Sequence, residues 1–325
     1  MKRWRGLAAT PGDLGRTVVT IGMYDGVHRG HQALIGAAVE RARALRRPCL
    51  LLTFDPHPAE VIRPGSHPAI LTSLDRKAEL VAELGVDAMC VLPFTQEFMR
   101  LSPETFTHTV LVEHLHAAQV VVGENFTYGH KAAGNVGTLT SEGRRFGFTV
   151  EGIPLANVGV DDGEDVTISS TYIRACVAAG DMESAEHALG QPHRVDSIVV
   201  RGDRRGKALG YPTANVEAPP FTAIPADGVY AGHLIMRDSR SGASGERFPA
   251  AISVGTNPTF QGSRRTVEAF VLDFDGDLYG DYVGVEFAHR LRPMAAFVGP
   301  EQLAEAIARD VEQTRTLLGL PPSRG

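Results

Sequence analysis

The sequence predicts an α/β unit built on a parallel sheet, followed by an all-β unit that closes with one helix. Three observations predict it. Short apolar runs alternate with amphipathic stretches up to about residue 185. From Val195 on, β-type runs separated by turn-forming polar stretches dominate. The final apolar periodicity has the spacing of a helix rather than a strand.

In the first part "TVVTIG", "PCLLLTF", "DAMCVLPF", "AQVVVG" and "FTVEGIPL" read as strands. The stretches between them carry helical spacing, as in Leu34, Ala38, Ala42 and Leu45. Strands alternating with helices imply a parallel sheet covered on both faces. Ligands of such folds sit at the carboxyl ends of the strands. In the second part "VDSIVV", "GVYAGHLIM", "PAAISVG", "TVEAFVLDF" and "YVGVEFAHRL" predict a compact antiparallel barrel or sandwich. The closing helix lies in "GPEQLAEAIARDVEQTRTLLG", with Leu303, Ile307, Val311 and Leu318 on one side.

A chain of 325 residues with 43% hydrophobic and 22% charged residues has room for two domains and the balance of a globular protein. Its net charge of -6 argues against a general nucleic-acid binder, while leaving room for a local basic pocket. Cys49, Cys90 and Cys176 are sparse and in no metal-ligand spacing, which suggests a reducing compartment without disulfides. The start "MKRWRGLAATPGDLG" lacks the apolar core of a secretory leader, and no run approaches the ~18 apolar residues of a membrane span. A cytoplasmic protein is expected, with no nucleic-acid, membrane or obligate protein partner.

The first chemistry-bearing stretch is "GMYDGVHRGH", residues 22–31. A strand ends at Ile21, a turn with Gly22 follows, and a helix is predicted from near Gly30. That layout turns backbone N–H groups and the positive helix end toward an anion. His28 and His31, three apart, both lie within reach of one phosphate there. No further ligand follows at zinc spacing, and the glycines match neither the dinucleotide fingerprint nor the P-loop. Taken alone, the stretch stays open between an anion site and a surface turn with two solvated histidines.

In "ISSTYIR", residues 168–174, Ser169, Ser170 and Thr171 are N-cap candidates for a helix to about Ala178, with Gly180 as its stop. Arg174 follows one turn beyond Ser170, so hydroxyls and guanidinium make either a phosphate clamp or an ordinary cap beside an exposed arginine.

In "RGDRRGKALGYPTANV", residues 201–216, Gly202, Gly206 and Gly210 let the backbone approach phosphates beside Lys207, though the spacing is not that of a P-loop. Thr213 and Asn215 are two apart on an extended segment after Pro212 and point the same way. Their hydroxyl and carboxamide oxygens suit magnesium; a glycine-rich hairpin before an edge strand is the alternative. On "TVEAFVLDF", Thr266, Glu268, Phe270 and Leu272 share one face. A carboxylate there is either a general base or half of an edge ion pair. "DFDGDLYGDYVG" departs from a calcium loop at Leu278 and Gly284 and is read as a hairpin turn.

"GMYDGVHRGH" with "ISSTYIR" resembles the nucleotidyltransferase superfamily whose motif is H-x-G-H. "LLTFDPHP" and "VVGENFTYGHKAAG" narrow the resemblance to its flavin-nucleotide adenylyltransferase branch. "GYPTAN", "DGVYAG", "SVGTNPTF", "VEAFVLDF" and "RLRPMAAF" resemble bacterial riboflavin kinases. Together they resemble the bifunctional riboflavin kinase/FMN adenylyltransferase (FAD synthetase) family.

The resemblance implies a Rossmann-like nucleotidyltransferase domain over residues 1–186 and a kinase domain over residues 187–325, a six-stranded antiparallel barrel with a C-terminal helix. It implies riboflavin, FMN and ATP as substrates, FMN and FAD as products, and Mg2+ with ATP at both sites. His28 and His31 would hold the ATP phosphates, with Gly22, Tyr24, Asp25 and Gly30 shaping the loop. Asn125 would lie near both substrates, and Ser169, Ser170, Thr171 and Arg174 would meet the leaving pyrophosphate. Glu268 would be the base on the ribityl 5′-hydroxyl, Thr213 and Asn215 would hold magnesium, and Arg292 would contact flavin. Tyr24 and Tyr211 stand where phenylalanine is usual, and Lys207 where arginine is common; little consequence is expected of them.

Overall fold

The computed structural model describes residues 1–154, 157–159, 165–201, 210–237, 244–259 and 262–322. It divides into two compact units, one of residues 1–68 and 77–169 and one of residues 69–76 and 170–325.

The first unit contains strands β1 (Lys2–Arg5), β2 (Thr17–Ile21), helix α1 (Arg29–Leu45), β3 (Cys49–Asp55) and α2 (Pro58–Ile62). Helix α3 (Leu74–Glu83) follows; its first residues group with the second unit. Then come β4 (Ala88–Pro93), α4 (Gln96–Met99), α5 (Pro103–Phe106), β5 (Ala117–Gly123), β6 (Thr127–Tyr128), β7 (Gly134–Asn135), α6 (Val136–Phe146), β8 (Thr149–Ile153) and the hairpin β9 (Asn157–Gly159) and β10 (Asp165–Thr167). Six strands form one sheet in the order β1-β4-β3-β2-β5-β8, every pair parallel. All five residues of β2 are buried, as a central strand with neighbours on both edges requires.

Strand order reverses at β2: its successor β3 pairs on one edge and β5 on the other. The carboxyl ends of β2 and β5 therefore flank the crevice where open α/β sheets bind ligands. Two details differ from expectation. β1 was hidden in a basic segment; it pairs along β4 at the sheet's border. Helix α1 buries Ile35, Ala38, Val39 and Ala42, whereas Leu45, the last residue of the helix, is 47% exposed.

The second unit contains α7 (Ser170–Ala179), α8 (Met182–Leu189), β11 (His193–Val200), β12 (Ala214–Val216), β13 (Gly228–Arg237), β14 (Ser244–Thr259), β15 (Gly262–Val271), β16 (Tyr282–Arg292) and α9 (Pro300–Leu317). Its strands close a barrel in the order β11-β12-β15-β14-β13-β16, all antiparallel. Closure leaves no sheet edge exposed. Ile252, Val254, Val267, Ala269, Val283 and Val285 are completely buried on these strands.

Helix α9 departs from the simple apolar face expected of it. It buries Asp310, Thr314 and Arg315 beside Ala306 and Val311. Asp310 takes Arg292, the Thr314 hydroxyl donates to the Asp310 carbonyl at 2.7 Å, and Arg315 pairs with Asp273, although its buried Nε has no hydrogen-bond partner among the described residues. Pairing offsets much of the cost of burying such groups. The cysteines are free and buried, and among the described residues no helix is long and apolar enough to cross a membrane.

Candidate active sites

In the first unit the loop after β2 turns back sharply, with positive φ at Tyr24, Gly26 and Val27. It is pinned from below: the Met23 carbonyl accepts from the Lys77 ammonium at 2.8 Å and from the Thr53 hydroxyl at 3.2 Å. Asp25 is buried beside it. Burial pushes the Lys77 ammonium below its ordinary range, and the nearby Asp25 and Asp55 carboxylates oppose that shift.

His28 is the N-cap of α1, with Nδ1 accepting from the His31 amide at 3.3 Å. With Nδ1 accepting, a neutral His28 ring carries its hydrogen on Nε2. The His31 ring stacks on His28 with centroids 3.6 Å apart and meets the Tyr24 ring edge-on at 5.2 Å. Burial, then the nearby His28 and Lys77, hold the His31 imidazole well below the usual histidine range, so it is neutral at pH 7 in the free protein. Gly30 lies in the first turn of the same helix, whose positive end is that of an anion site. Register Thr20↔Val121 brings the turn after β2 alongside the turn after β5. Asn125 sits in that second turn, its Oδ1 folded back to 3.0 Å from where a Cβ on Gly123 would be. Gly22, Asp25, His28, His31 and Asn125 are thus gathered at one end of the sheet.

Tyr24 is 1% exposed and its hydroxyl lies 2.5 Å from the Thr20 hydroxyl, so its side chain packs inside the protein. Among the described residues no three His, Cys, Asp or Glu side chains gather to hold a metal.

In the second unit α7 begins at Ser170, following Ser169, with Thr171 exposed and Gly180 ending the helix at φ +78°. Arg174 is not the exposed arginine of the capping alternative: it is partly buried and its Nε donates to the Ala69 carbonyl at 2.6 Å.

On the barrel, Thr213 and Asn215 line a cavity of about 540 Å³ with Arg201, Asp275, Asp277 and Tyr279. The loop after β15, read from sequence as a mere turn, therefore forms a wall of this cavity. Arg201 lies over the Tyr279 ring at 4.8 Å. The Thr213 hydroxyl is 3.5 Å from the Glu268 carboxylate. Asn215 stands directly opposite Glu268, Glu268 opposite Ser253, Ser253 opposite Val229, and Val229 opposite Arg292. One cross-strand row thus carries Asn215, Glu268 and Arg292, and directly opposed residues share a face. Arg292 gives two hydrogen bonds to Asp310 of α9, at 2.9 and 2.7 Å, which tie the end of the row to the helix. Gly210 is described and has φ +87°; Gly202, Gly206 and Lys207 lie outside the described residues.

Asp310, Thr20 and Lys77 are the site-supporting residues that sequence reasoning missed. Asp310 and Lys77 lie 18 and 54 residues from their partners Arg292 and Met23, and Thr20 meets the nearby Tyr24 only because the loop folds back at φ +50°, so no local spacing marks them.

Residues 11–172 match the family model described as FAD synthetase, and residues 189–318 the one described as riboflavin kinase. The chain is 34% identical over 303 residues to the bifunctional riboflavin kinase/FMN adenylyltransferase of Escherichia coli K12, covering 93% of each chain. It is 36% identical to the protein of the same description from Listeria monocytogenes, covering 92% of this chain and 91% of that one. A crystal structure described as a macrolide-efflux protein from Streptococcus pneumoniae superposes with a TM-score of 0.82 at 29% identity, covering 97% of this chain and 99% of the other. Two consecutive family matches and identity sustained along nine-tenths of the curated relatives leave one conclusion: the chain belongs to the bifunctional riboflavin kinase/FMN adenylyltransferase family.

Proposed function

We propose that the chain converts riboflavin to FMN and FMN to FAD, with residues 187–325 supplying the kinase groups and residues 1–186 the adenylyltransferase groups. The observation that carries this reading is that two unlike polar constellations stand on two separate sheets. One is a histidine pair at a helix start, the other a carboxylate in a row with hard oxygen donors.

In the kinase reaction Glu268 accepts the proton of the ribityl 5′-hydroxyl as that oxygen bonds to the γ-phosphorus of ATP and ADP leaves. Thr213 and Asn215 fit a magnesium ion: the Asn215 Nδ2 donates to the Thr213 carbonyl at 3.3 Å, which leaves the amide oxygen as a hard donor. Bound there with ATP, magnesium would neutralise phosphate charge. Arg292, steadied by Asp310, contacts the flavin.

In the second reaction an FMN phosphate oxygen attacks the α-phosphorus of ATP in line and pyrophosphate leaves. Positioning and charge neutralisation carry such a transfer. His28 donates through Nε2 to the phosphates, His31 supports the developing charge, and Asn125 orients the substrates. Ser169, Ser170, Thr171 and Arg174 receive pyrophosphate, an assignment that rests on the sequence motif. Both reactions suit the cytoplasm, where ATP and magnesium are abundant. Incubation of the pure protein with riboflavin, ATP and magnesium, followed by chromatography, tests the reading: FMN and then FAD are expected, and unchanged riboflavin would sink the kinase assignment.

A further inference from the structure

We propose that the Tyr24–Thr20 hydrogen bond is a strut that positions His31 for adenylyl transfer; this rests on the reading that His31 acts on ATP. A working histidine is ordinarily oriented by a hydrogen bond at its second ring nitrogen. His31 lacks one: its Nδ1 is buried without a hydrogen-bond partner among the described residues. Its ring is instead held by faces and edges, stacked on His28 and met edge-on by Tyr24.

Packing orients a ring only as well as its neighbour is fixed. Tyr24 is fixed from beneath. Its hydroxyl lies 2.5 Å from that of Thr20, a fully buried residue of β2 flanked by β3 and β5. Tyr24 has φ +50°, which folds its ring back under the loop, and Gly22 makes the space: a Cβ there would lie 2.9 Å from the ring. The sequence of supports runs from the sheet centre through Thr20 and Tyr24 to His31. Tyr24 and Thr20 are positioning residues.

The test compares Tyr24→Phe, Thr20→Val and the double variant in FAD formation from supplied FMN, with riboflavin phosphorylation as the check on folding. Each single variant leaves one buried hydroxyl unpaired, whereas the double removes both, so thermal stability falls in the singles and recovers in the double. A strut predicts that kcat does not recover with it. The double variant should stay about tenfold slow, with the KM for ATP changed less than about twofold. Thr20→Ser keeps the hydroxyl and should keep the rate. Wild-type kcat in the double variant, beside an inactive His31→Ala, would overturn the strut alone. Wild-type activity in His31→Ala would overturn the reading of His31 and the strut with it.

Discussion

Asn215 and Glu268 face each other across β12 and β15, and the Thr213 hydroxyl stands 3.5 Å from the same carboxylate. Three residues of two distant motifs thereby become one constellation. Replacing Glu268 by Gln keeps the size and the contact to Thr213 but removes the proton acceptor. FMN formation should fall by about 10²–10⁴-fold. FAD formation from supplied FMN should be unchanged; its loss in a folded variant would contradict the assignment of two sites.

His28 has two duties, which substitution separates. Asn is a good N-cap and Ala is not, so His28→Ala should cost about 1 kcal/mol of stability while His28→Asn costs little. Both lack the Nε2 donor, so both should lose FAD formation by at least about 100-fold with FMN formation intact. An active His28→Asn enzyme would show that the imidazole serves only as a cap.

Stability should fall on mild acidification. Burial, with His28 and Lys77 nearby, lowers the His31 pKa, and burial with Arg247 lowers that of His233 to about 4. In the unfolded chain both take up a proton near pH 6.5, while the folded protein resists it. Stability is therefore full above about pH 6.5 and drops as pH falls, with the His233 contribution lost down to about pH 4. Melting temperatures from pH 7 to 4 should show this, and His233→Gln should flatten the slope.

The pair Arg292–Asp310 anchors α9 to β16. Asp310→Asn removes the charge from a carboxylate that is nearly inaccessible in the folded chain, at a cost of about 2 kcal/mol in denaturant unfolding. The freed guanidinium should raise the KM for riboflavin more than that for ATP. Equal changes in both would argue against a flavin contact by Arg292.

Much of this architecture was legible in the chain. The five parallel strands from β2 to β8 and the helix starting just after His28 follow from apolar runs of strand length and from turn chemistry. β1 was not legible, since "KRWR" has no apolar run and forms a strand only because β4 offers it an edge. Leu45, the last residue of α1, is exposed although it continues the apolar periodicity, since periodicity marks a helix face but not which of its residues are covered. The buried Asp310 and Arg315 look like surface charges until their partners on other elements are known.

The sequence by itself determined the class of both units, their order and the chemical types at each site, because strand and helix periods, caps and glycine turns are local properties. Only the tertiary structure decided which residues meet. The row from Asn215 through Glu268 to Arg292 depends on the register of five barrel strands, and register is set by how side chains pack across strands. The same holds for Tyr24: as a letter it was a phenylalanine with a spare hydroxyl, and packing gave that hydroxyl a partner in the sheet.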